Sequence, residues 1–110
     1  MTLLAGTGKK GYTGDGGPAT QADLNGPKGV SWSPRDQSLY IADTETHTIR
    51  RIDGKTGVIS TVLGDGKRGN GGDGDPLKCE TARPHGVFVD RRGRIFVGDS
   101  EAHKVRWVIK

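Results

Sequence analysis

"GTGKKGYTGDGGPA" (residues 6–19) returns 58 positions later as "GDGKRGNGGDGDPL" (residues 64–77). Both copies follow the pattern G-x-G-K-basic-G-x-x-G-D-G-x-P. The similarity continues downstream, where "GPKGVSW" (26–32) matches "RPHGVFV" (83–89) and "LYIADTETHTIRRI" (39–52) matches "IFVGDSEAHKVRWV" (95–108). Fixed-period similarity of this kind indicates a repeat architecture. The 110-residue chain therefore contains two copies of a unit of roughly 57 residues.

Each unit has the sequence pattern of short antiparallel strands separated by turn residues. In the first unit the predicted strands cover residues 29–33, 38–43, 48–53 and 58–63, and in the second they cover residues 86–90, 94–99 and 104–110. The second unit lacks a fourth strand at its end. However, "TLLAG" (2–6) aligns with "STVLG" (60–64), the fourth strand of the first unit. The chain is therefore expected to begin with a fourth strand.

At these residues the chain resembles the NHL repeat of β-propellers. The resemblance rests on P-x-G-V (27–30), YIAD (40–43), H-x-I-R (47–50) and TG-x-I-x-T-V-x-G (56–64), and it is looser in the second unit, where Gly98 replaces Ala42 and Trp107 replaces Arg51. It implies an all-β ring of four-stranded antiparallel blades, commonly six, with the P-x-G-V strand innermost at a central channel. The whole chain, residues 1–110, would then be a single two-blade unit.

Two blades cannot close such a ring. Blade one is predicted over residues 29–63. Blade two is predicted over residues 86–110, with residues 2–5 of a neighbouring chain as its outer strand. A lone pair would leave apolar faces in water, with Trp32, Val87 and Val89 or their neighbours exposed, and large exposed apolar patches mark association sites. We therefore expect strand exchange in a head-to-tail homotrimer of six blades, with a tetramer of eight blades as the alternative.

The glycine-rich segment itself is predicted to be a loop that joins one blade to the next, because glycine permits sharp turns at positive φ. Asp15 and Asp73 are expected to accept hydrogen bonds from nearby backbone N–H groups. A phosphate-binding loop would need a different residue order, G-x-x-x-x-G-K-[ST] before a helix. A calcium site would need several converging oxygen ligands, and "GDGD" (72–75) offers only two carboxylates.

Asp43 and His47 stand four residues apart in a predicted hairpin, and Asp99 and His103 repeat the arrangement. An Asp–His pair can serve acid–base catalysis. No serine, cysteine or second carboxylate is placed to complete a catalytic set, so we predict structural pairs and no catalytic residue. The single cysteine, Cys79, excludes an intrachain disulfide and has the setting of a bystander thiol.

His85 and Lys28 occupy the variable position of P-x-G-V in the two units, at the predicted mouth of the channel. The segment "PHGVFV" is similar to an inner-strand histidine segment of the zinc-dependent lyase of peptide amidation, a related propeller. A threefold ring would bring three copies of His85 together, and three imidazoles with a water suit zinc. Three copies of Lys28 would oppose a cation there. Apart from this candidate zinc site, no cofactor is expected.

The formal net charge is +4, and four basic residues are predicted on one loop face: Lys9, Lys10, Lys67 and Arg68. Such a face could bind RNA or an acidic protein. With only two Trp, two Tyr and two Phe, stacking platforms for single strands are scarce. No leader and no membrane-spanning apolar run is visible, so a soluble protein with no membrane partner is expected, its compartment open.

Together these observations predict a self-assembling, non-catalytic propeller module with a scaffold or binding role and an unnamed ligand. Two alternatives stay open from the sequence. One is a channel-centred enzyme, either a metal-dependent lyase or a lactone hydrolase. The other is a module that binds RNA or protein through the basic loop face.

Overall fold

The computed structural model describes residues 1–108, and the fold of this part of the chain is all-β. The first sheet contains β1 (Pro27–Ser33), β2 (Ser38–Asp43), β3 (Thr48–Asp53) and β4 (Ile59–Leu63) in chain order. The second contains β5 (Gly86–Val89), β6 (Ile95–Asp99) and β7 (Lys104–Val108). All neighbouring strands are antiparallel. Within residues 1–108 no helix is long and apolar enough to cross a membrane.

The strand boundaries follow the predicted ones closely. β2 and β3 begin and end at the predicted residues. β1 begins two residues early because Pro27 pairs with Asp43 across an irregularity in the register next to Gly29. Residues 2–5 form no strand within the described chain. They were predicted to pair with a neighbouring chain, so that pairing stays a prediction, and the last two residues of the predicted final strand lie outside the described range.

Aspartates shape the turns at one end of both sheets. Asp53 Oδ1 accepts a hydrogen bond from the Lys55 N–H (2.8 Å) in the β3–β4 turn. Asp90 Oδ1 accepts one from the Arg92 N–H (3.0 Å) in the β5–β6 turn. A short aspartate side chain that binds a backbone N–H two residues ahead stabilises a turn locally. This local chemistry explains why turn positions could be recognised in the sequence.

The two sheets pack face to face through one apolar core. Its buried members are Tyr40, Ala42, Ile49, Leu63, Val89, Ile95 and Val97. These residues come from alternate strand positions because successive side chains in a strand point to opposite faces. β1 and β5, the strands predicted to be innermost, lie against each other. A Cβ atom at Gly29 would come within 2.5 Å of the His85 carbonyl oxygen, so the close approach requires glycine.

A second apolar cluster lies on the other face of the first sheet, under the glycine-rich loop. Its buried members are Ala19, Ala22, Ile41, Ile52 and Ile59, with Ala5, Leu24 and Leu39 packed against them. Two backbone hydrogen bonds fix the loop to β4, from the Gly16 N–H to the Ile59 carbonyl (2.8 Å) and from the Ile59 N–H to the Gly17 carbonyl (3.0 Å). The repeated loop therefore covers the outer edge of its own blade.

The uncovered faces differ in part from those expected. Trp32 is exposed, as expected on the first sheet. On the second sheet Val89 is buried and Val87 packs against the inter-sheet core, while their neighbour Phe88 is exposed. The alternation of side chains decides this outcome, because residues 87 and 89 share the face that the first sheet covers.

Candidate functional site

A fully buried arginine anchors the first glycine-rich loop to blade one. Arg50 Nη1 donates to Asp43 Oδ2 (3.2 Å) and to the Asp23 carbonyl oxygen (2.9 Å), and Nη2 donates to Asp15 Oδ1 (2.9 Å) and to the Thr13 carbonyl oxygen (2.8 Å). Asp43 is also completely buried. A buried charge is tolerated only when it is paired and hydrogen-bonded. Both Nη atoms of Arg50 meet these conditions, whereas its buried Nε has no hydrogen-bond partner.

Arg106 repeats this arrangement in blade two. It donates to Asp99 Oδ2 (3.3 Å), to the carbonyl oxygens of Glu80 (2.9 Å) and Gly72 (3.0 Å), and to Asp73 Oδ1 (3.4 Å). The Arg106 side chain is 12% exposed and that of Asp73 is 97% exposed, so the second anchor is more exposed to solvent than the first. Each loop is thus tied to the blade that follows it.

The two anchors revise the expected role of the loop aspartates. Asp15 and Asp73 accept hydrogen bonds from arginine side chains instead of the predicted backbone N–H groups. The sequence does carry a signal for the anchors, because an arginine follows an aspartate by seven residues in both units, Asp43–Arg50 and Asp99–Arg106. In the described part of the chain, no group of three or more His, Cys, Asp or Glu side chains is arranged to hold a metal ion.

The structure gives the hairpin residues Asp43 and His47 separate partners. Asp43 Oδ1 accepts a hydrogen bond from the Asn25 N–H (2.8 Å) in addition to its contact with Arg50. His47 closes the hairpin in a left-handed conformation (φ 59°), and its Nδ1 accepts from the Arg83 N–H (3.1 Å). The aspartate therefore organises its own blade, whereas the histidine contacts the segment that leads into the next one.

Asp99 and His103 are placed in the same way in blade two. Asp99 Oδ1 accepts a hydrogen bond from the Ala82 N–H (2.7 Å). His103 has φ 58° and its N–H donates to the Ser100 carbonyl oxygen (3.2 Å). Its side chain is exposed.

Charge pairing crosses the junction between the blades on the hairpin side. Arg83 Nη2 lies 2.7 Å from Glu45 Oε2 and its Nη1 lies 3.5 Å from Glu101 Oε2. The hydrogen bond from Arg83 holds the pKa of Glu45 below its ordinary value. Burial, reinforced by the positive charge of Arg68, holds the pKa of His47 below its ordinary value of 6.5, against the opposing charge of Glu45. The neutral imidazole is therefore the favoured form at this junction.

The predicted basic loop residues are all exposed: Lys9, Lys10, Lys67 and Arg68. They do not form a uniformly positive surface, because Arg68 Nη2 pairs with Glu101 Oε1 at 3.3 Å. Exposed pairs of this kind contribute little stability, but they lower the net charge that a polyanion would meet. Binding of RNA or an acidic protein at these loops stays a prediction.

Lys28 and His85 lie at the starts of the two adjacent inner strands. Lys28 is exposed and His85 is half-buried. His85 Nδ1 lies 2.8 Å from the Arg83 carbonyl oxygen, which can accept a hydrogen bond only if Nδ1 carries the proton. This tautomer leaves the lone pair on Nε2, the arrangement of many metal-ligating histidines. One chain supplies one such nitrogen, so a zinc site would need copies of His85 from several chains.

Titration of zinc into the assembled protein tests the predicted channel site. A threefold site binds about one ion per three chains, and acid weakens binding because a protonated imidazole cannot ligate a metal. Lys28→Ala should strengthen binding by removing positive charge beside the site. Calorimetric binding that is unchanged in His85→Ala would contradict the prediction.

The chain presents an uncovered apolar face at each end of its blade pair. The front face, on the first sheet, includes Val30, Leu39, Ile41 and Ile52, which line an apolar groove of about 590 Å³ together with residues 1–5, Leu24 and Pro27. Trp32 lies on the same face, where it and Val30 are exposed, whereas Ile41 and Ile52 are buried by the glycine-rich loop. The back face, on the second sheet, is formed by Phe88, Phe96, Gly98, Val105 and Trp107. On the back face the rings of Phe96 and Trp107 stack with centroids 5.6 Å apart.

An open groove of about 590 Å³ follows the free edge of β7. Its walls include Leu63, Pro76, Cys79 and the β7 residues Lys104–Val108. In blade one the corresponding edge of β3 is paired with β4 through four residue pairs from Ile49–Leu63 to Ile52–Ile59. The groove therefore lies where a fourth strand stands in the other blade.

Comparison with known proteins agrees with this repeat geometry. Residues 3–83 match the family model described as the Teneurin NHL domain, and residues 81–108 match the NHL repeat model. The chain belongs to the NHL-repeat family. It is 28% identical over 91 residues to NHL repeat-containing protein 2 of Gallus gallus, covering 82% of this chain and 12% of that protein. It is 31% identical over 92 residues to the chloroplastic protein Suppressor of quenching 1 of Arabidopsis thaliana. This match covers 84% of this chain and 8% of that protein.

The NHL assignment also agrees with the fold. A crystal structure of a structural genomics protein of unknown function from Bacteroides thetaiotaomicron superposes with a TM-score of 0.85 at 22% identity. The superposition covers 96% of this NHL chain and 26% of that one. This chain thus spans about an eighth or less of the length of these two relatives and about a quarter of the structural neighbour. At this level of identity the likeness supports the β-propeller-like fold alone.

Proposed function

We propose that this chain is a self-assembling, non-catalytic propeller module in which three copies close a ring of six blades. The observation that carries the proposal is that the front and back faces are the two halves of the interface already formed inside the chain. The proposal has three steps: the match of the faces, the match of the open strand edge, and the closure of the ring.

The back face carries the repeat equivalents of residues that blade one buries against blade two. Tyr40, Ala42 and Ile49 form that buried side in blade one, and their counterparts, 56 positions later, are Phe96, Gly98 and Val105. Val105 is 80% exposed in the single chain. The position that Ile49 occupies in the core between the blades is therefore exposed to solvent in blade two, at Val105.

The front face carries the repeat equivalents of the opposite side. Val87 and Val89 pack into the inter-sheet core from blade two, and their counterparts, 57 positions earlier, are Val30 and Trp32. Val30 is 63% exposed and Trp32 is 55% exposed. Packing the back face of one copy on the front face of the next repeats the internal junction, and each fully buried large side chain would contribute about 1.5–3 kcal/mol.

The open edge of β7 supplies the second match. Residues 2–5 align with Ser60–Leu63 of β4 but make no strand within the described chain. If they pair with β7 of a neighbour as β4 pairs with β3, Ala5 lies opposite Val105 and Thr2 lies opposite Trp107. Main-chain pairing of this kind is the β-strand addition used in many complexes, and it removes an exposed edge.

A head-to-tail interface either closes into a ring or extends into a filament. The family resemblance implies six blades, which three copies of a two-blade chain supply. Both blades superpose together on the structural neighbour, over 96% of the chain. The closed ring is therefore proposed from the family resemblance and from the matching faces of the chain.

Light scattering on the purified protein tests the proposal. We expect a molar mass of three chains at micromolar concentration, which for 11.7 kDa subunits is about 35 kDa. Val105→Asp should give a smaller species, because it places a charge in the inter-copy core. The control Lys55→Asp, in an exposed turn away from both faces, should keep the parent mass. A parent that is a stable monomer would overturn the proposal.

A further inference from the structure

His47 connects the two blades through hydrogen bonds to the segment that leads into β5. Its Nδ1 accepts from the Arg83 N–H (3.1 Å), and its carbonyl oxygen accepts from Thr81 Oγ1 (2.8 Å). An imidazole nitrogen accepts a hydrogen bond only when it carries no proton. A proton on Nδ1 would convert this contact into two facing donors, so the junction requires a neutral ring.

Charged groups surround His47 from both blades. They are Glu45 on its own hairpin, Arg68 and Arg83 on the segment before β5, and Asp99 on β6. The cations and the burial of the ring outweigh the carboxylates, and the pKa of His47 is lowered. Because the folded pKa lies below that of the unfolded chain, the unfolded chain binds more protons as the pH falls below about 6.5. The contact therefore stabilises the fold above that pH and is lost on acidification.

His103 repeats the conformation of His47 at the uncovered end of blade two. The φ angles are 58° and 59°, and each N–H donates over 3.2 Å to the carbonyl oxygen three residues earlier. The repeat equivalent of Arg83 is Gly26, which also has positive φ (66° against 52°). Within one chain, His103 and Gly26 lie at opposite ends of the blade pair, and both are exposed. His103 therefore presents the acceptor, and Gly26 the donor, of a hydrogen bond that His47 and Arg83 form at the internal junction.

Resting on the head-to-tail assembly proposed above, we infer that His103 Nδ1 accepts a hydrogen bond from the Gly26 N–H of a second copy, so that assembly requires neutral His103 and is reversed by acid. A neighbouring contact supports the same docking. Thr44 Oγ1 donates to the Pro84 carbonyl oxygen (2.6 Å) across the internal junction. Its equivalent Ser100 is exposed and can donate to the Pro27 carbonyl oxygen of the second copy.

The charges around His103 in the assembly follow from the same equivalence. On its own blade they are Glu101 and Lys104, and from the second copy they are Lys10, Lys28 and Asp43. Lys10 takes the place of Arg68, and Asp43 takes that of Asp99. The second copy has Gly26 where Arg83 would stand, so the inter-copy junction lacks the ion pair to the hairpin glutamate. The histidine contact accordingly carries a larger share of this junction than of the internal one.

The inference predicts a defined pH dependence of assembly. When association requires one neutral imidazole per junction, the dissociation constant rises about tenfold for each pH unit once acid protonates that ring in the free chain. We expect the parent mass, measured by light scattering and sedimentation at low micromolar concentration, to fall from three chains at pH 8 to smaller species at pH 5.

The decisive variant is His103→Asn, whose side-chain carbonyl can accept the same hydrogen bond but does not titrate in this range. It should stay assembled at pH 5. The matched control His85→Asn should dissociate on acidification as the parent does, because it leaves His103 in place. A circular dichroism melt at pH 8 verifies that each variant is folded, and His103→Gln provides a second neutral acceptor if His103→Asn is not.

Two outcomes would overturn the inference while leaving the proposed ring intact. One is a parent mass that stays at three chains from pH 8 to pH 5. The other is dissociation of His103→Asn over the same pH range as the parent. A parent that is already monomeric at pH 8 is a different result, since it overturns the assembly itself and the histidine contact with it.

Discussion

Replacing Arg50 by methionine will lower the free energy of unfolding by about 3–5 kcal/mol. The substitution leaves the Asp43 carboxylate, which is fully buried, without its cation. It also removes the hydrogen bonds that hold the loop carbonyls of Thr13 and Asp23. An uncompensated buried charge is among the most destabilising changes a single substitution can make. Denaturant unfolding followed by circular dichroism measures the loss.

Three further variants separate the anchor from a general effect of losing an arginine. Arg91→Met removes an exposed turn arginine and should change stability by about 0.5 kcal/mol or less. Arg106→Met should fall between the two, because that anchor is partly exposed. Adding Asp43→Asn to Arg50→Met should recover part of the lost stability, because it removes the buried carboxylate charge that no longer has a cation. Equal losses for Arg50→Met and Arg91→Met would refute the anchoring role.

Deleting residues 1–5 should dissociate the proposed ring into smaller species or cause aggregation. The deletion removes several ladder hydrogen bonds at each junction, each worth about 1 kcal/mol net. It also removes an apolar side chain worth about 1.5–3 kcal/mol when fully buried. In the single chain Leu3 and Leu4 are 63% and 67% exposed, so the loss would be small if the chain acted alone. Light scattering and a thermal melt of the truncated chain measure the effect.

A matched pair of substitutions sharpens this test. By the repeat alignment Leu4 takes the place of Val62, which packs against the inter-sheet core, whereas Leu3 takes the place of Thr61, whose hydroxyl donates to Asp15. Leu4→Thr should therefore weaken assembly and Leu3→Thr should not. Because the two leucines are almost equally exposed in one chain, a marked difference in assembly between the two variants would indicate contact with a neighbour. Strand exchange is disproved if the truncated chain keeps the parent mass and melting temperature.

Local signals account for the parts of the fold that the sequence predicted. β2 and β3 were predicted to the residue because turn chemistry limits them on both sides, with Asp53 binding the backbone of its own turn. The repeat offset then transferred the same pattern to the second sheet. These features depend on neighbours within a few residues, so they can be recognised without knowledge of the packing.

The buried arginines depend on contacts that are distant in sequence, and for that reason they were missed. Arg50 and Arg51 are consecutive in β3, and alternation sends one to each face of the sheet. Arg51 lies near the surface beside Asp36, as a charged residue usually does. Arg50 is buried because a loop 27 to 37 residues earlier in the chain folds over it. Composition alone gives no reason to bury one of these two residues.

The candidate site likewise combines local features that the sequence predicted with long-range contacts that it did not predict. The sequence identified His47 and His103 as repeated hairpin residues, but it suggested the aspartates of the same hairpins as their partners. The observed partner of His47 belongs to the next blade, at Arg83. Its donor is a backbone N–H, which every residue type except proline carries, so no side-chain pattern could reveal it.

The arginine anchors also have an evolutionary consequence. Because Arg50 and Arg106 each hold the loop that precedes their own blade, each repeat brings its own cover, and its contacts with the next repeat are the sheet faces and the hairpin-side bonds of residues such as His47 and Arg83. Duplicating or splitting the gene at a repeat boundary therefore creates no new kind of contact. If the proposed ring forms, gene length and subunit number become exchangeable, and the same six blades can be encoded as one long chain or as several short ones.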